Sequence, residues 1–190
     1  MARWEPNARE RLVLAALDLF AGQGYDNTTV TQIANRAGLT KTTFFRHFSD
    51  KREVLFAGQQ VHSRLLADGV AAAPDSATPL EAVAAALDAL TASFTAEQRD
   101  FGPRLVAVIG GNPELQERAM FKRAALAAAL TSALGKRGVP DLTASLAADL
   151  GVRAFDRAFD RWIEPSSQQT FTELAQQELR ALRTAAIALG

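Results

Sequence analysis

The segment 29–51, TVTQIANRAGLTKTTFFRHFSDK, constrains the fold most, because it predicts two short helices joined by a tight turn. Thr29 and Gln32 have the spacing of a capping box, which marks the start of a helix. Gly38 follows the apolar positions of that helix and can adopt the left-handed conformation that ends it. Thr40 is a second N-cap candidate, and a second helix is predicted to follow it. Two short helices in this arrangement form a helix-turn-helix unit.

The second of these helices has an inner and an outer face. Phe44 and Phe48 are four residues apart, so they share one face and are expected to pack inward. The other faces combine cations, hydroxyls and an aromatic ring. This combination suits the major groove of DNA, where Lys or Arg donates to guanine and a Thr methyl or a ring contacts the thymine methyl.

A capping pair after the second helix predicts a third. Asp50 and Glu53 have the capping spacing, and the helix that they open is expected to continue past Leu55 towards Ala73 as a rigid connector. Lys51 would lie in its first turn, where the helix dipole disfavours a cation. A DNA phosphate is therefore the expected partner of Lys51.

In this region the chain resembles the tetracycline-repressor (TetR) family of bacterial regulators. The matching residues are Thr29-Val30, Ile33-Ala34, Ala37-Gly38-Leu39-Thr40, Phe44-Phe45-x-His47-Phe48, Lys51 and Leu55, with Ala15-Ala16-Leu17, Leu19-Phe20 and Gly24-Tyr25 upstream. The resemblance covers residues 9–56, and beyond them only length and helical character agree. Phe45 is a departure, because the family usually carries Tyr there and its hydroxyl often reaches a phosphate.

The resemblance implies an all-α protein of about nine helices. It implies a three-helix DNA-binding domain at 1–56 and a helical effector-binding and dimerisation domain at 57–190. The last two helices are expected to form a four-helix bundle with a second subunit, so that a homodimer reads a double-stranded operator with inverted-repeat symmetry. Repression, relieved by a small-molecule effector of unknown identity, is the family's usual mode.

Residue roles follow from the motif and the resemblance together. The residues expected to face the bases are Lys41, Thr42, Phe45 and Arg46. The residues expected to contact phosphates are Thr29, Thr40, His47 and Lys51, and Thr43 is suited to either role. Small residues that would let helices approach closely in a dimer are Ala147, Ala148, Gly151 and Ala154.

Helix signals continue through the rest of the chain, and no sustained alternating pattern predicts a strand. A first helix is predicted over 6–21, after an arm whose Arg3 and Trp4 either touch DNA or are frayed. Thr78-Pro79 and Asn112-Pro113 mark two later helix starts, and a break is predicted at 101–103. The last two helices are predicted over 143–163 and 168–189. In the first of them the repeat RAFDRAFDR allows i,i+3 ion pairs such as Arg157–Asp160 and Arg161–Glu164, although a solvated charged face is the preferred interpretation of most of these charges.

Large apolar residues between about 80 and 163 are candidates for lining an effector pocket. They are Phe94, Phe101, Leu105, Ile109, Phe121, Phe155, Phe159 and Trp162. Candidate polar partners are His62, Arg104, Arg123 and Asp149. Aromatic residues at helical spacing are more often core than pocket, so both interpretations stay open. A pocket built from them would be mostly apolar and would favour an apolar or amphipathic effector.

The net charge is zero, but the positive charge is concentrated on the motif. Residues 36–52 carry five basic side chains against one acidic side chain, a net charge of +4. Residues 1–56 have a net charge of +2 and residues 57–190 a net charge of −2. Phosphate attraction depends on the cations presented, so we expect only weak non-specific DNA binding outside residues 1–56, which we call the head.

Other functional classes find little support. There is no cysteine, and no HExxH, P-loop or G-x-S-x-G motif, so we expect no enzyme, no cofactor and no metal site. No apolar signal segment or membrane-length apolar run occurs, which predicts a cytoplasmic protein without a membrane partner. The alternative that remains is an architectural DNA-binding protein without an effector, which would not need the large second domain.

Overall fold

The structure of the chain is a computed structural model that describes residues 8–189. The helices in chain order are α1 (Ala8–Gln23), α2 (Val30–Arg36), α3 (Lys41–His47), α4 (Gln59–Ala72), α5 (Pro79–Thr91), α6 (Ala96–Gly110), α7 (Pro113–Lys136), α8 (Asp141–Trp162) and α9 (Phe171–Ile187), with a 3-10 segment (Arg52–Phe56) between α3 and α4. Nine α-helices and no strand among the described residues confirm the all-α prediction. The predicted arm with Arg3 and Trp4, and the predicted helix start at Pro6, lie outside the described residues.

Internal contacts divide the chain into two compact units. The first unit is Met1–Ala57 with Pro103–Met120, and the second is Gly58–Gly102 with Phe121–Gly190. The first unit therefore contains the predicted DNA-binding segment together with the end of α6 and the start of α7. The assignment of functions to the two sides of residue 56 stays a prediction.

The head of the first unit is built on α1. This helix contacts α2 and the 3-10 segment, and α2 contacts α3. Leu12, Ala16 and Phe20 of α1 are buried in the core of the head. Ile33 of α2 and Phe44 of α3 are fully buried, so the apolar stripes of both motif helices face this core.

The predicted continuous connector from Asp50 is wrong. The Asp50 carboxylate accepts the backbone N–H groups of Arg52 and Glu53 at 2.8 and 3.1 Å, which confirms its capping role. The helix that it opens is only the 3-10 segment, and Gly58 separates that segment from α4 with a φ of 100°. Glycine adopts this conformation readily because it has no Cβ, and the chain therefore turns there instead of continuing as a helix.

The predicted break at 101–103 is also wrong, because α6 is a single helix with Pro103 inside it. Proline lacks the N–H that would bond to the carbonyl of Arg99. The side chain of Arg99 donates to the backbone carbonyls of Trp162 and Glu164, at 2.9 and 3.2 Å. These contacts hold the preceding turn of α6, and we infer that such tertiary contacts override the local signal.

In the second unit α4 packs on α5, α8 packs on α9, and α5 contacts both α8 and α9. Capping boxes at Thr78 and Thr170 start α5 and α9, so α9 begins later than the sequence predicted. No helix in residues 8–189 combines the length and the apolar character needed to cross a membrane.

The small residues of α8 pack within the chain, so the prediction that they lie against a second subunit is wrong. Ala147, Ala148 and Ala154 are buried. A Cβ on Gly151 would lie 2.6 Å from a side-chain methyl of Val83, a distance too short for any other residue. These residues therefore allow α8 to approach α5 closely.

Candidate nucleic-acid interface

The first motif helix is closed at both ends by the groups that the sequence predicts. The hydroxyl of Thr29 accepts the N–H of Gln32 at 3.2 Å, and the Gln32 side chain accepts the N–H of Thr29 at 2.8 Å. At the other end, the N–H groups of Gly38 and Leu39 donate to the carbonyls of Asn35 and Ala34, which is a Schellman motif. Both ends of α2 are therefore fixed by local hydrogen bonds.

The turn between the two motif helices depends on Gly38 and on a residue that sequence reasoning missed. Gly38 has a φ of 67°, in the region that favours glycine. The guanidinium of Arg11, from α1, donates to the carbonyl of Ala37. A Cβ on Gly38 would lie 2.6 Å from that guanidinium, which is the end of a flexible side chain and can shift, so the positive φ is what requires glycine here.

The second motif helix, α3, has the two faces that its sequence predicts. Phe44 and Phe48 are buried, with 0% and 4% of their surface exposed. Lys41, Thr42 and Arg46 are exposed, and Phe45 keeps 49% of its surface exposed. The structure thus brings the four predicted base-facing residues together on the outside of one helix.

The residues predicted to contact phosphates lie around this helix. Thr29 and Thr40 are both exposed N-caps, and the Thr40 hydroxyl accepts the N–H of Thr43 at 3.1 Å. His47 is exposed in the last turn of α3. Lys51 differs, because its ammonium donates to two backbone carbonyls of the first unit, at 2.7 and 3.0 Å. The contacts of these residues with DNA stay predictions.

Ion pairs attach residues 103–120 to the head within the first unit, and sequence reasoning missed them. Asp18 of α1 accepts from Arg36 of α2 at 2.8 Å and also from Arg104 of α6. Arg104 was a candidate partner of an effector, and the structure places it beside Asp18 instead. Glu53 pairs with Arg118 in the same unit. The partners are far apart in sequence, so no local pattern could have identified these pairs.

Tyr25 marks a second polar contact between the head and α7. Its ring is buried and lies 5.1 Å from the Phe20 ring, centroid to centroid. Its hydroxyl lies 3.5 Å from a carboxylate oxygen of Glu114, which also pairs with Arg52 at 3.3 Å. Burial, reinforced by the Glu114 charge, raises the pKa of the Tyr25 phenol well above its ordinary value. The phenol therefore stays neutral and donates at physiological pH.

Four of the eight candidate effector residues come together in the second unit. Phe94 lies at the centre, with the rings of Phe155, Phe159 and Trp162 at 5.8, 6.3 and 6.0 Å. Phe171, which sequence reasoning did not select, lies 5.0 Å from Phe94 and completes what we call the aromatic cluster. Phe94, Phe155 and Phe159 are half-buried and the other two rings are buried. His62 stacks on Phe94 at 5.2 Å.

The other candidate effector residues lie elsewhere. Phe101 is half-buried in α6, and Phe121 is 59% exposed on α7. Leu105 and Ile109 are half-buried in the part of α6 that belongs to the first unit. The remaining candidate polar residues, Arg123 and Asp149, line an open surface groove between α7 and α8.

The fold and the exposed face of α3 define an all-α helix-turn-helix protein. Residues 12–57 match the family model of the bacterial regulatory proteins of the tetR family. The match covers both motif helices and the 3-10 segment. The all-α fold of residues 8–189 is like that of a putative TetR-family transcriptional regulator from Syntrophomonas wolfei, with a TM-score of 0.59 and 16% sequence identity over 95% of each chain. Over residues 12–57 the chain is therefore similar to the TetR family of bacterial regulators.

Two curated relatives match part of this chain. The HTH-type transcriptional regulator TcmR of Streptomyces glaucescens is 37% identical over 82 residues, which are 43% of this chain and 36% of TcmR. The HTH-type transcriptional activator FasR of Mycolicibacterium smegmatis is 39% identical over 62 residues, 33% of this chain and 28% of FasR. The chain thus spans only about a third of the length of these two relatives.

A solved structure matches over nearly the whole length. The transcriptional regulator FadR of Bacillus subtilis, in complex with stearoyl-CoA, superposes with a TM-score of 0.56 and covers 91% of this chain and 96% of FadR. The sequence identity is 18%, so this likeness shows the fold alone.

Proposed function

We propose that this chain is a DNA-binding transcriptional regulator that reads an inverted-repeat operator as a homodimer and is released by a small, mostly apolar effector. The observation that carries the proposal is the outer face of α3, where Lys41, Thr42, Phe45 and Arg46 are all exposed on a helix fixed from below by buried Phe44. The exposed Phe45 ring, with Lys41 and Arg46 on the same outer face, contributes little to the fold. This combination suits contacts with base edges in a major groove. Such a regulator acts in the cytoplasm, where bacterial DNA lies, and has no enzymatic step.

Roles within the site follow from side-chain chemistry. Arg46 has the fork geometry that recognises guanine, while Phe45 offers an apolar contact for a thymine methyl. Lys41 and Thr42 supply a second cation and a small hydroxyl on the same face. Around this face, Thr29, Thr40 and His47 are proposed to position the head by contacts to phosphates, which carry no sequence information.

The last two helices support the homodimer. Leu142 and Leu146 lie one turn apart on α8 with 73% and 57% of their surface exposed, and Ile187 near the end of α9 is 70% exposed. Arg153 and Asp149 continue the exposed stripe of α8. A two-fold interface brings the same surface of each subunit together, so apolar residues and opposite charges on one stripe can complement their own copies.

The aromatic cluster of the second unit supports an effector site. Three of its five rings are half-buried, so an apolar ligand could reach them. Apolar lining with few polar groups is the usual composition of a small-molecule site, and His62 supplies a polar group at the edge. Acyl-CoA thioesters are a reasonable first set of test compounds, because the similar FadR fold holds stearoyl-CoA.

Coupling between effector and DNA requires two states that the ligand binds unequally. We expect a coupling free energy of about 1–3 kcal/mol. The chain passes between the two units three times, and two of these passages lie inside α6 and α7. The third lies at Gly58, where the helix is interrupted. Continuous helices transmit a displacement better than a glycine turn, so we propose that α6 and α7 carry the coupling.

Selection of bound sequences from random double-stranded DNA at physiological salt tests the DNA-binding part of this proposal. The wild-type protein should enrich an inverted repeat. A matched control, in which both Lys41 and Arg46 are replaced by Ala, should stay folded and enrich nothing. Salt-sensitive binding of the wild type without enrichment would contradict the proposal and favour an architectural DNA-binding protein.

Release from the selected operator tests the effector part. Fluorescence anisotropy of a labelled operator should fall when a binding acyl-CoA or another apolar ligand is added, and Phe94→Ala should reduce that response. Sequence-specific binding that no apolar ligand of a broad panel relieves would leave a regulator without the proposed effector.

A further inference from the structure

We propose that Lys51 is a positioning residue that closes the helix-turn-helix unit from within, and that it is not a phosphate ligand. The inference rests on the proposed function, since DNA binding is one of its readouts. The sequence alone predicts a different role, in which Lys51 contacts a DNA phosphate.

The Lys51 ammonium is surrounded by groups of its own chain. It donates to the carbonyl of Tyr25 at 2.7 Å and to the carbonyl of Thr28 at 3.0 Å. It also lies 3.9 Å from the centroid of the Tyr25 ring, close enough for a strong cation–π contact. An ammonium has three donors and no acceptor, so two of its three donors are used by these carbonyls.

The two carbonyls belong to the turn that leads into the first motif helix. Within this turn Thr28 donates its N–H to the Tyr25 carbonyl at 3.1 Å and its hydroxyl to the Gly24 carbonyl at 2.8 Å. Thr28 is only 1% exposed. Thr29, the next residue, is the N-cap of α2. A displacement of the turn would therefore displace the start of α2.

Lys51 itself follows the second motif helix. The chain leaves α3 at Phe48, and Asp50 starts the 3-10 segment. The ammonium thus connects the segment that follows α3 with the turn that precedes α2. These two segments are the two ends of the helix-turn-helix unit. This contact fixes the position of α3 relative to α2, and it determines how the outer face of α3 is presented to the bases.

A positioning residue and a phosphate ligand make different predictions for the same substitutions. Removing a phosphate ligand weakens binding to all sequences alike and reduces the salt slope by about 0.9 for each phosphate that is no longer neutralised. Removing a positioning residue lowers the stability of the free protein and weakens binding to the operator more than binding to random DNA. Arginine keeps the charge that a phosphate needs, but its planar fork does not replace a compact ammonium held by two carbonyls and a ring.

The experiment compares Lys51→Met and Lys51→Arg with wild type, and uses Lys41→Met as a matched exposed lysine. Thermal midpoints are measured without DNA, and affinities for the selected operator and for random DNA are measured over a salt series. We expect Lys51→Met to lower the midpoint by about 4 °C or more. We expect it to reduce the ratio of operator to random-DNA affinity about tenfold while the salt slope is unchanged, and we expect Lys51→Arg to restore neither quantity. Lys41→Met should keep the wild-type midpoint.

A wild-type midpoint for Lys51→Met, together with a lower salt slope and an equal loss of affinity for both DNAs, would overturn the inference. Full recovery by Lys51→Arg would overturn it as well. If Lys51→Met does not fold, Lys51→Arg supplies both the thermal midpoint and the DNA readout. If wild type shows no sequence preference, the regulator proposal fails, and the midpoint of Lys51→Met alone decides whether Lys51 is the internal positioning residue.

Discussion

Phe45 is an exposed aromatic residue held in a defined place. Its ring meets the buried Phe44 ring edge-on, with 5.5 Å between centroids and an interplanar angle of 82°. The ammonium of Lys41 lies 5.9 Å from the centroid of the Phe45 ring. A ring that is half exposed and yet fixed by two neighbours is already oriented when DNA arrives, so little side-chain entropy is lost on binding.

We predict that Phe45 contacts a thymine methyl in each half-site. Replacing that thymine by deoxyuridine removes one methyl group and should weaken wild-type binding about fourfold, since a buried methylene or methyl contributes about 0.8 kcal/mol. Phe45→Ala should bind the thymine and deoxyuridine operators equally, as measured by anisotropy titration. A wild-type protein that is insensitive to every thymine replacement in the half-site would disprove the contact.

The sequence predicts the burial and capping of a residue correctly where these depend on neighbours three or four positions away. The inward face of Phe44 and Phe48 and the capping of α2 by Thr29 follow from spacing alone, and the structure confirms both. The environments of Lys51 and Arg104 depend on partners 23 or more positions away in sequence. A helix periodicity contains no information about such partners, so the sequence alone predicts a DNA phosphate as the partner of Lys51 and an effector as a candidate partner of Arg104.

At the scale of the helices, the carboxylate of Glu178 on α9 joins α9 to α8 through two ion pairs that the sequence did not predict. The repeat RAFDRAFDR allows pairs of Arg157 and Arg161 within α8 and favours a solvated face, but both guanidinium groups bind Glu178 of α9, at 2.5 and 2.8 Å. The Glu178 side chain is only 5% exposed. Burial by itself raises the pKa of this carboxyl, but hydrogen bonds from the two arginines outweigh burial and hold the pKa below its ordinary value.

We predict that Glu178→Gln lowers the free energy of unfolding by about 1–3 kcal/mol at neutral pH, because two charge-assisted hydrogen bonds are lost. A carboxyl whose pKa is lower in the folded state stabilises the fold above its unfolded pKa, and this contribution is lost as pH falls through the folded pKa. The difference between wild type and variant, measured by denaturant titration, should therefore shrink below about pH 4.5.

Glu164→Gln, which changes an exposed carboxylate near the end of α8, is the matched control and should leave stability nearly unchanged. A wild-type-to-Glu178→Gln difference that stays constant from neutral to acidic pH would show that the Glu178 charge does not stabilise the fold.

Helix boundaries were predictable where caps define them and not where distant contacts do. The capping box at Thr78 starts α5 in the structure, as the sequence predicts. The passage through Pro103 and the interruption at Gly58 were both mispredicted. In the first case Arg99 binds the end of α8, and in the second a single glycine conformation decides the outcome, so neither depends on an apolar period.

At the scale of the whole molecule, we predict that replacing both Leu142 and Leu146 by Glu converts a homodimer into a monomer. The two leucines are exposed on α8, and burying four carboxylates in a two-fold interface would be strongly unfavourable. Analytical ultracentrifugation measures the change in mass. Val61→Glu, at a residue 54% exposed on α4, is the matched control and should remain dimeric.

The monomeric variant should keep its helical content and lose most of its operator affinity, because a single head contacts only one half-site. A double variant that stays dimeric would exclude this surface of α8 as the interface.

The central claim is that the outer face of α3 reads bases, and a specificity map of Arg46→Ala tests it most directly. The measurement is the affinity of wild type and variant for every single-base change in the selected operator. We predict that the variant loses about 1–3 kcal/mol and its preference at one position of each half-site, while preferences elsewhere are retained. An equal loss on all sequences, with the pattern of preferences unchanged, would contradict the claim and assign Arg46 to the DNA backbone.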